Sequence, residues 1–447
     1  MRKGNSIDML NGPLAGKLFV FALPVAIAGI LQQLFAATDS MVAGQMVSNS
    51  ALAAVGASMP VVNILTNVFI GLSVGANALM ASHIGGGRPE RLQEALHTTI
   101  ALGLTCGVAM LCAGVALAQP VLELIQTPSD VLGQAVLYLR IYFLGSPFVL
   151  LYNFGSAVLR SRGDTRRPTA ALAVGVVVNV VLNVACVQLL GWGLAGIAAS
   201  TTVANGISCA MVLVLLMREE GNFKLRWKRV RVHAKAAKSI LAIGVPAGLQ
   251  VAVFSLANIC VQSGINGFGS EAIAGSAAEL NYEFVSYYFA VGFGQAAVTF
   301  VAQNRAARQY DRCKKAVRLC MVLSMVCAVI PSIIFTVWSP FYIGIFTTNA
   351  VAVDYGCRRM VYIEMLEVLT CTYEVPAGAM RGMGQSVLPA VITVVGSCVL
   401  RFIWMFWVFP QVGTYESIMV VYPISWVVTG GAMIAAYFAV RKRKLHC

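Results

Sequence analysis

The stretch LFVFALPVAIAGILQQLFAATDSMVAGQM, residues 18–46, decides the fold because it is apolar from end to end apart from one carboxylate. A transmembrane helix needs about 20 such residues to cross a hydrocarbon core of about 30 Å. The core holds no water, so backbone groups must hydrogen-bond internally, and only helices or closed barrels can cross it. Hydrophobicity that is continuous rather than alternating predicts a helix. The carboxylate, Asp39, is costly to bury in lipid and therefore indicates a function.

The composition extends this prediction to the whole chain. Of the 447 residues, 58% are hydrophobic and only 11% are charged, whereas a soluble domain carries about 25% charged residues. The sequence therefore predicts an all-α polytopic membrane protein. Twelve apolar spans, separated by Gly, Pro or charge clusters, have the approximate bounds 15–46, 52–84, 94–119, 131–159, 168–190, 194–217, 237–266, 274–303, 315–338, 355–379, 387–409 and 416–440.

The second set of six spans is a copy of the first. Because six is an even number, both copies enter the membrane from the same side, which predicts parallel repeats related by an axis along the membrane normal. The predicted organisation is an N-terminal lobe at 1–217, a basic linker at 218–236 and a C-terminal lobe at 237–447. Three separated blocks align at an offset of 221 or 222 residues: 18–34 with 240–256, 71–87 with 292–308, and 159–170 with 380–391.

The net charge of +14 follows from membrane topology and does not indicate a nucleic-acid partner. All but four of the 32 Lys and Arg residues lie at the N-terminus, in loops after even-numbered spans, or at the C-terminus. Positively charged loops face the cytoplasm, so both termini are predicted to be cytoplasmic. The four exceptions are Arg140, Arg358, Arg359 and Arg401.

A polar cluster is predicted around Asp39 in the outer half of the first lobe. Asp39 lies roughly 33 Å beyond Lys17 if the helix rises 1.5 Å per residue. Asn179 and Asn183 share one face of the fifth span because they are four residues apart, and Thr201 falls at a comparable depth in the sixth. One carboxylate with amide and hydroxyl oxygens can hold either a proton or a sodium ion.

The second lobe lacks this cluster at the repeat positions. Aligned at these offsets, Asp39 corresponds to Val261, and the two asparagines correspond to Leu400 and Trp404. Polar residues that merely held helices together would be expected in both copies. The asymmetry therefore predicts that the four-residue cluster is a cation-coupling site used by the first lobe alone.

The second lobe has carboxylates of its own. Glu364, Glu367 and Glu374 follow one stripe of the tenth span, because their spacing matches the helical repeat. Glu279 and Glu283 lie one turn apart on the eighth span. Glu279 and Glu364 are predicted to be solvated near helix ends.

A substrate cleft is predicted from the remaining acids and one amide. Carboxylates with aromatic neighbours suit an organic cation through charge pairing and cation–π contact. The alternative is that these acids pair with arginines in the spans. The predicted cleft residues are Asn153, Glu283, Glu367 and Glu374, of which Asn153 and Glu374 correspond in the repeat.

These residues resemble one transporter family. The segments LPVAIAGILQQLFAATDSMVAGQM, SAVLRSRGDTRRP, NVVLN and AGAMRGMGQS are similar to those of bacterial multidrug and toxic compound extrusion (MATE) transporters, and the resemblance covers essentially the whole chain. It implies two six-helix lobes around a V-shaped cleft, and drug export driven by an inward H⁺ or Na⁺ gradient. The family's first-lobe cation site falls on Asp39, Asn179, Asn183 and Thr201.

Two departures from the family leave the coupling ion open. Some members carry a Glu on helix 7 and an Asp on helix 10, where this chain has Phe254 and Thr370. Asn183 stands where other members have Asp, which removes one charge. No cofactor is predicted besides the coupling ion, H⁺ or Na⁺, and no metal site other than sodium at Asp39.

The predicted function is a secondary-active antiporter that exports amphipathic, cationic organic compounds across a bacterial inner membrane by alternating access. A monomer is expected. Two alternatives remain open: a flippase for lipid-linked oligosaccharides of the same superfold, and a dedicated metabolite exporter. A flippase predicts basic residues for pyrophosphate, whereas the candidate cleft positions are acidic. An enzyme is not predicted, because the chain has neither an H-E-x-x-H nor a G-x-S-x-G motif.

Overall fold

The computed structural model describes residues 6–445, which form helices and connecting turns without a β-strand in that range. Ten of the helices described are long and apolar enough to cross a membrane, and a bent pair makes an eleventh span. The predicted all-α polytopic fold is confirmed. The helices are α1 (Leu14–Val42), α2 (Asn49–Gly85), α3 (Pro89–Leu124), α4 (Ser129–Leu144), α5 (Ser146–Ser161), α6 (Arg166–Gln188), α7 (Gly193–Arg218), α8 (Ala234–Asn266), α9 (Ser270–Ala306), α10 (Tyr310–Val337), α11 (Ser339–Gly344), α12 (Ala350–Tyr362), α13 (Cys371–Gly382), α14 (Val387–Thr393), α15 (Leu400–Ile403), α16 (Phe409–Val412) and α17 (Tyr415–Lys444).

Two of the twelve predicted spans are interrupted, and a third is bent. The fourth span bends by 43° between α4 and α5. The tenth consists of α12 and α13 joined by a 3₁₀ segment, Glu364–Thr370. The eleventh consists of α14, α15 and α16 joined by two π-helical segments, Val394–Val399 and Trp404–Val408. A π turn accommodates one extra residue, and such turns are frequent at functional sites.

The helices pack into two compact units. The first comprises Ile27–Gly248 with the chain up to Ile7, and the second comprises Asp8–Ala26 with the chain from Leu249 onward. Packing therefore departs from the repeat boundaries at 217 and 237, because the first part of α1 belongs to the second unit and the first part of α8 to the first. Both changes of unit fall two residues after a proline inside a helix, Pro24 in α1 and Pro246 in α8. Proline removes a helical hydrogen bond and so permits a bend.

Glycines let α8 approach α2 backbone to backbone within the first unit. A Cβ on Gly71 would meet the backbone of Gly248, and a Cβ on Gly75 would meet the carbonyl oxygen of Ile240 and the amide of Gly244. Small residues four apart on both helices are the usual means of close packing between membrane helices. The contact fixes the start of α8 against the first unit.

Replacing Gly75 with Ala is expected to lower the melting temperature of the detergent-solubilised protein by about 5 °C, since overpacking costs about 1–3 kcal/mol and each kcal/mol shifts a domain of this size by about 2–4 °C. The backbone that the new methyl meets cannot rotate away as a side chain can. Gly56→Ala is the matched control, because Gly56 lies on the same helix with no atom within 4 Å of its Cβ direction. Equal melting temperatures for the two variants would contradict the close contact.

Candidate functional site

Asp39 lies near the end of α1 with its side chain almost entirely buried, at 1% exposure. The Thr201 hydroxyl, on α7, lies 2.9 and 2.8 Å from the two carboxylate oxygens. Asn183 on α6 donates its amide to Oδ1 at 2.9 Å, and Asn179 donates to the same oxygen at 3.4 Å. The structure thus brings together all four residues of the predicted cluster. Their role in coupling stays a prediction.

The neighbours of Asp39 also bind one another. Asn179 donates to the Thr201 hydroxyl oxygen at 2.8 Å, and Asn183 lies 3.4 Å from the Asn179 carbonyl oxygen. Asn205, one turn further along α7, donates to the Thr201 backbone carbonyl at 2.9 Å. The Asn183 side-chain oxygen is buried without a hydrogen-bond partner. The cluster is therefore a small network with one acceptor to spare.

Tyr138 is a member of the site that the sequence analysis missed. It lies on α4, is fully buried, and donates its hydroxyl to Asp39 Oδ2 at 3.1 Å. Tyr142 follows one turn later, with the two ring centroids 6.1 Å apart. The only signal in the sequence was a pair of tyrosines four residues apart in an apolar span, which is also common in ordinary helix packing. The contact with α1 is a matter of tertiary structure.

The Asp39 carboxylate is held by neutral groups from α4, α6 and α7. Among the residues described, no Lys, Arg or His lies within 4 Å of it. Burying a carboxylate away from water is costly unless hydrogen bonds or an opposite charge compensate it. Only hydrogen bonds do so here, which leaves the negative charge available to a small cation.

Two of the second unit's acids form ion pairs with one arginine. Arg359 on α12 is 3% exposed and contacts Glu279, and its Nη2 lies 2.7 Å from Glu283 Oε2. The prediction that Glu279 is solvated is wrong, because its side chain is fully buried in this pair. Glu283, predicted to line a substrate cleft, has its charge compensated by Arg359.

Two further acids lie on the 3₁₀ segment between α12 and α13. Glu364 is fully buried and accepts a hydrogen bond from Ser286 at 2.5 Å, and Glu367 is 1% exposed. The Oε2 atom of each has no hydrogen-bond partner. The prediction that Glu364 is solvated is wrong, because the tenth span continues beyond it and the segment packs against α9, α10 and α17.

The last two predicted cleft residues lie apart from these acids. Glu374 on α13 accepts a hydrogen bond from the Tyr287 hydroxyl at 3.1 Å. Asn153, in the first unit, is 4% exposed and donates its amide to the Val149 carbonyl at 2.9 Å. Whether these four residues bind substrate stays a prediction.

Duplicated helical units with one isolated buried carboxylate define a polytopic membrane transporter. The model of the MatE family matches residues 24–185 and again 246–407, so the chain belongs to this family. The two matched ranges confirm the internal duplication. Proteins of the MATE family are transporters and not enzymes, and they are ion-coupled without a cofactor.

Related proteins support the same assignment. The probable multidrug resistance protein YoeA of Bacillus subtilis is 28% identical over 84% of this chain and 82% of its own length. The FAD transporter of Shewanella oneidensis is 25% identical over 71% of each chain. The solved structure of a multidrug resistance MATE family transporter in an outward-facing conformation superposes with a TM-score of 0.88 at 18% identity, covering 100% of this chain and 99% of that one.

Proposed function

We propose that this protein is a secondary-active multidrug antiporter of a bacterial inner membrane, with both termini in the cytoplasm. It exports amphipathic organic cations as a monomer in exchange for H⁺ or Na⁺ that binds at Asp39. The observation that carries the proposal is the isolated, buried Asp39 carboxylate held by four neutral residues. An ion can drive a conformational change only through different affinities for the two states. A carboxylate without a fixed countercharge supplies that difference.

The hydrogen-bond pattern at Asp39 favours a proton over sodium. Tyr138, Asn179, Asn183 and Thr201 all direct donors at the carboxylate, and a sodium ion requires oxygen ligands in their place. A proton neutralises Asp39 after rotation of one hydroxyl. Sodium would need an amide to turn so that its oxygen faces the ion.

Vesicles reconstituted with the protein and loaded with a cationic dye are expected to lose dye faster under an imposed pH gradient, and to respond much less to an imposed sodium gradient. The two gradients are imposed separately, with the membrane potential clamped, because potential alone moves a cationic dye. Protein-free vesicles give the leak. A response to sodium at constant pH would reverse the choice of ion, and a response to neither gradient would contradict antiport.

A dedicated metabolite exporter is the second candidate. The observation in its favour is the similarity to the FAD transporter of Shewanella oneidensis. The same vesicles test it, because an exporter specific for a flavin would move FAD and leave the cationic dye inside.

A further inference from the structure

The π-helical segment at Val394–Val399 changes the register between the two repeats. Before it, residues 159–170 align with 380–391 at an offset of 221. After it, the family match ends at 185 in the first repeat and at 407 in the second, an offset of 222. One residue inserted in a π turn accounts for the difference. The counterpart of Asn179 is therefore Arg401 and not Leu400, and the counterpart of Asn183 is Met405 and not Trp404.

Burial supports the corrected register. Asn179 and Asn183 are fully buried in α6, and Arg401 and Met405 are buried as well, at 1% and 8% exposure. The residues paired at the uncorrected offset are only half-buried. Val261, the counterpart of Asp39, is also fully buried. The second unit thus has an arginine at an amide position of the first unit's site, and no acid where the first unit has Asp39.

The Arg401 guanidinium is surrounded by the repeat counterparts of the helices around Asp39. Its Nη1 donates to Asn258 on α8 at 2.6 Å, and its Nε donates to Ser425 on α17 at 3.3 Å. The rings of Phe254 and Tyr422 lie 4.9 and 4.3 Å from its central carbon. Helices α8 and α17 occupy the places of α1 and α7 in the second repeat. Two aromatic faces and two neutral oxygens are a typical environment for a desolvated cation.

Arg401 makes no ion pair within 4 Å in the described part of the chain. Its charge acts at longer range on Glu367 of the 3₁₀ segment. Arg359 is already paired, so it does not compensate Glu367. The charged and titratable groups around this region are Glu279 and Glu283 on α9, Arg359 on α12, Glu364 and Glu367 on the 3₁₀ segment, Arg401 on α15, and Tyr422 on α17.

We propose that the Arg401 guanidinium is a built-in cation of the second unit, located at the repeat position where the first unit takes up its coupling ion. The compensating positive charge is covalently attached and cannot leave, so the second unit has no ion to exchange there. Resting on the proposed function, this confines ion coupling to one unit. It also explains why Val261 needs no acid: the carboxylate that Arg401 compensates, Glu367, comes from a different helix.

The test measures melting temperature in an Asp39→Asn background, which removes the first unit's cation site. Arg401→Gln keeps hydrogen-bonding capacity but loses the charge, and it is expected to lower the melting temperature by about 10 °C, the scale set by an uncompensated buried charge. Arg401→Lys keeps the charge and is expected to stay close to the parent. Methylguanidinium chloride should restore the Arg401→Gln variant saturably, whereas equal concentrations of choline chloride or of neutral N-methylurea should not.

Arg381→Gln is the matched control, because Arg381 is a buried arginine of the same unit that binds Gln250 at 2.8 Å. Its melting temperature should not respond to methylguanidinium. Equal losses in Arg401→Lys and Arg401→Gln would overturn the proposal, as would rescue by N-methylurea, or a cation response in the Asp39→Asn parent. If Arg401→Gln does not fold, a folded Arg401→Lys supports the proposal, and failure of both overturns it. Failure of the proposed function is read separately, as gradient-dependent efflux that survives Asp39→Asn in vesicles.

Discussion

Replacing Asp39 with Asn is expected to abolish the dependence of dye efflux on the imposed ion gradient. The amide has nearly the shape of the carboxylate, but it carries no charge and neither binds nor releases a proton. The coupling free energy between ion and substrate is thereby removed, and such couplings typically correspond to factors of about 5–150 in affinity. We expect the gradient-driven part of the efflux rate to fall at least about tenfold, toward the rate without a gradient.

Folding is not expected to account for this loss. The network around position 39 keeps neutral hydrogen-bonding partners, since Thr201 and Tyr138 hydroxyls can bind an amide oxygen as well as a carboxylate. The melting temperature of Asp39→Asn should therefore stay near that of the unmodified protein. Asp130→Asn is the matched control, because Asp130 is an exposed acid at the start of α4 in the same unit. Full gradient dependence in Asp39→Asn would exclude Asp39 as the coupling site.

Much of the Asp39 cluster could be predicted because its geometry depends on helix periodicity and depth. Asn179 and Asn183 share a face through their four-residue spacing, and a fixed rise per residue brings Thr201 to a similar depth. The lack of an acid at Val261 then distinguished a site from ordinary packing. Tyr138 could not be predicted in the same way, because its contact with Asp39 depends on how α4 packs against α1.

The second unit was harder to predict because its helices depart from regular geometry. Glu364 was expected at a solvated end, yet the 3₁₀ segment places it inside the unit. The π turn in the eleventh span rotates the following residues by one position, so the comparison based on Leu400 missed Arg401. Neither departure has a marker such as proline at its first residue. Local backbone irregularity of this kind is set by tertiary packing rather than by local sequence.

Replacing Arg359 with Met is expected to cause the largest loss of stability in the second unit. Breaking a buried ion pair leaves a charge without compensation and costs about 3–5 kcal/mol. Here Glu279 would be left fully buried and Glu283 largely so. In a unit of this size we expect a fall in melting temperature of about 10 °C, measured in detergent by the loss of helical circular dichroism.

Arg358→Met is the control, because Arg358 is the preceding residue but lies at the surface, where it pairs with Asp354 and Glu416. Exposed ion pairs contribute little, since water already solvates both charges. Adding Glu279→Gln and Glu283→Gln to Arg359→Met should recover most of the stability, because the buried charges disappear together with their partner. Equal effects at 358 and 359, or no recovery in the triple variant, would show that Arg359 stabilises the unit by packing alone. Recovery would instead assign Glu279 and Glu283 to charge balance with Arg359, and leave Glu367 and Glu374 as the acids available to a cationic substrate.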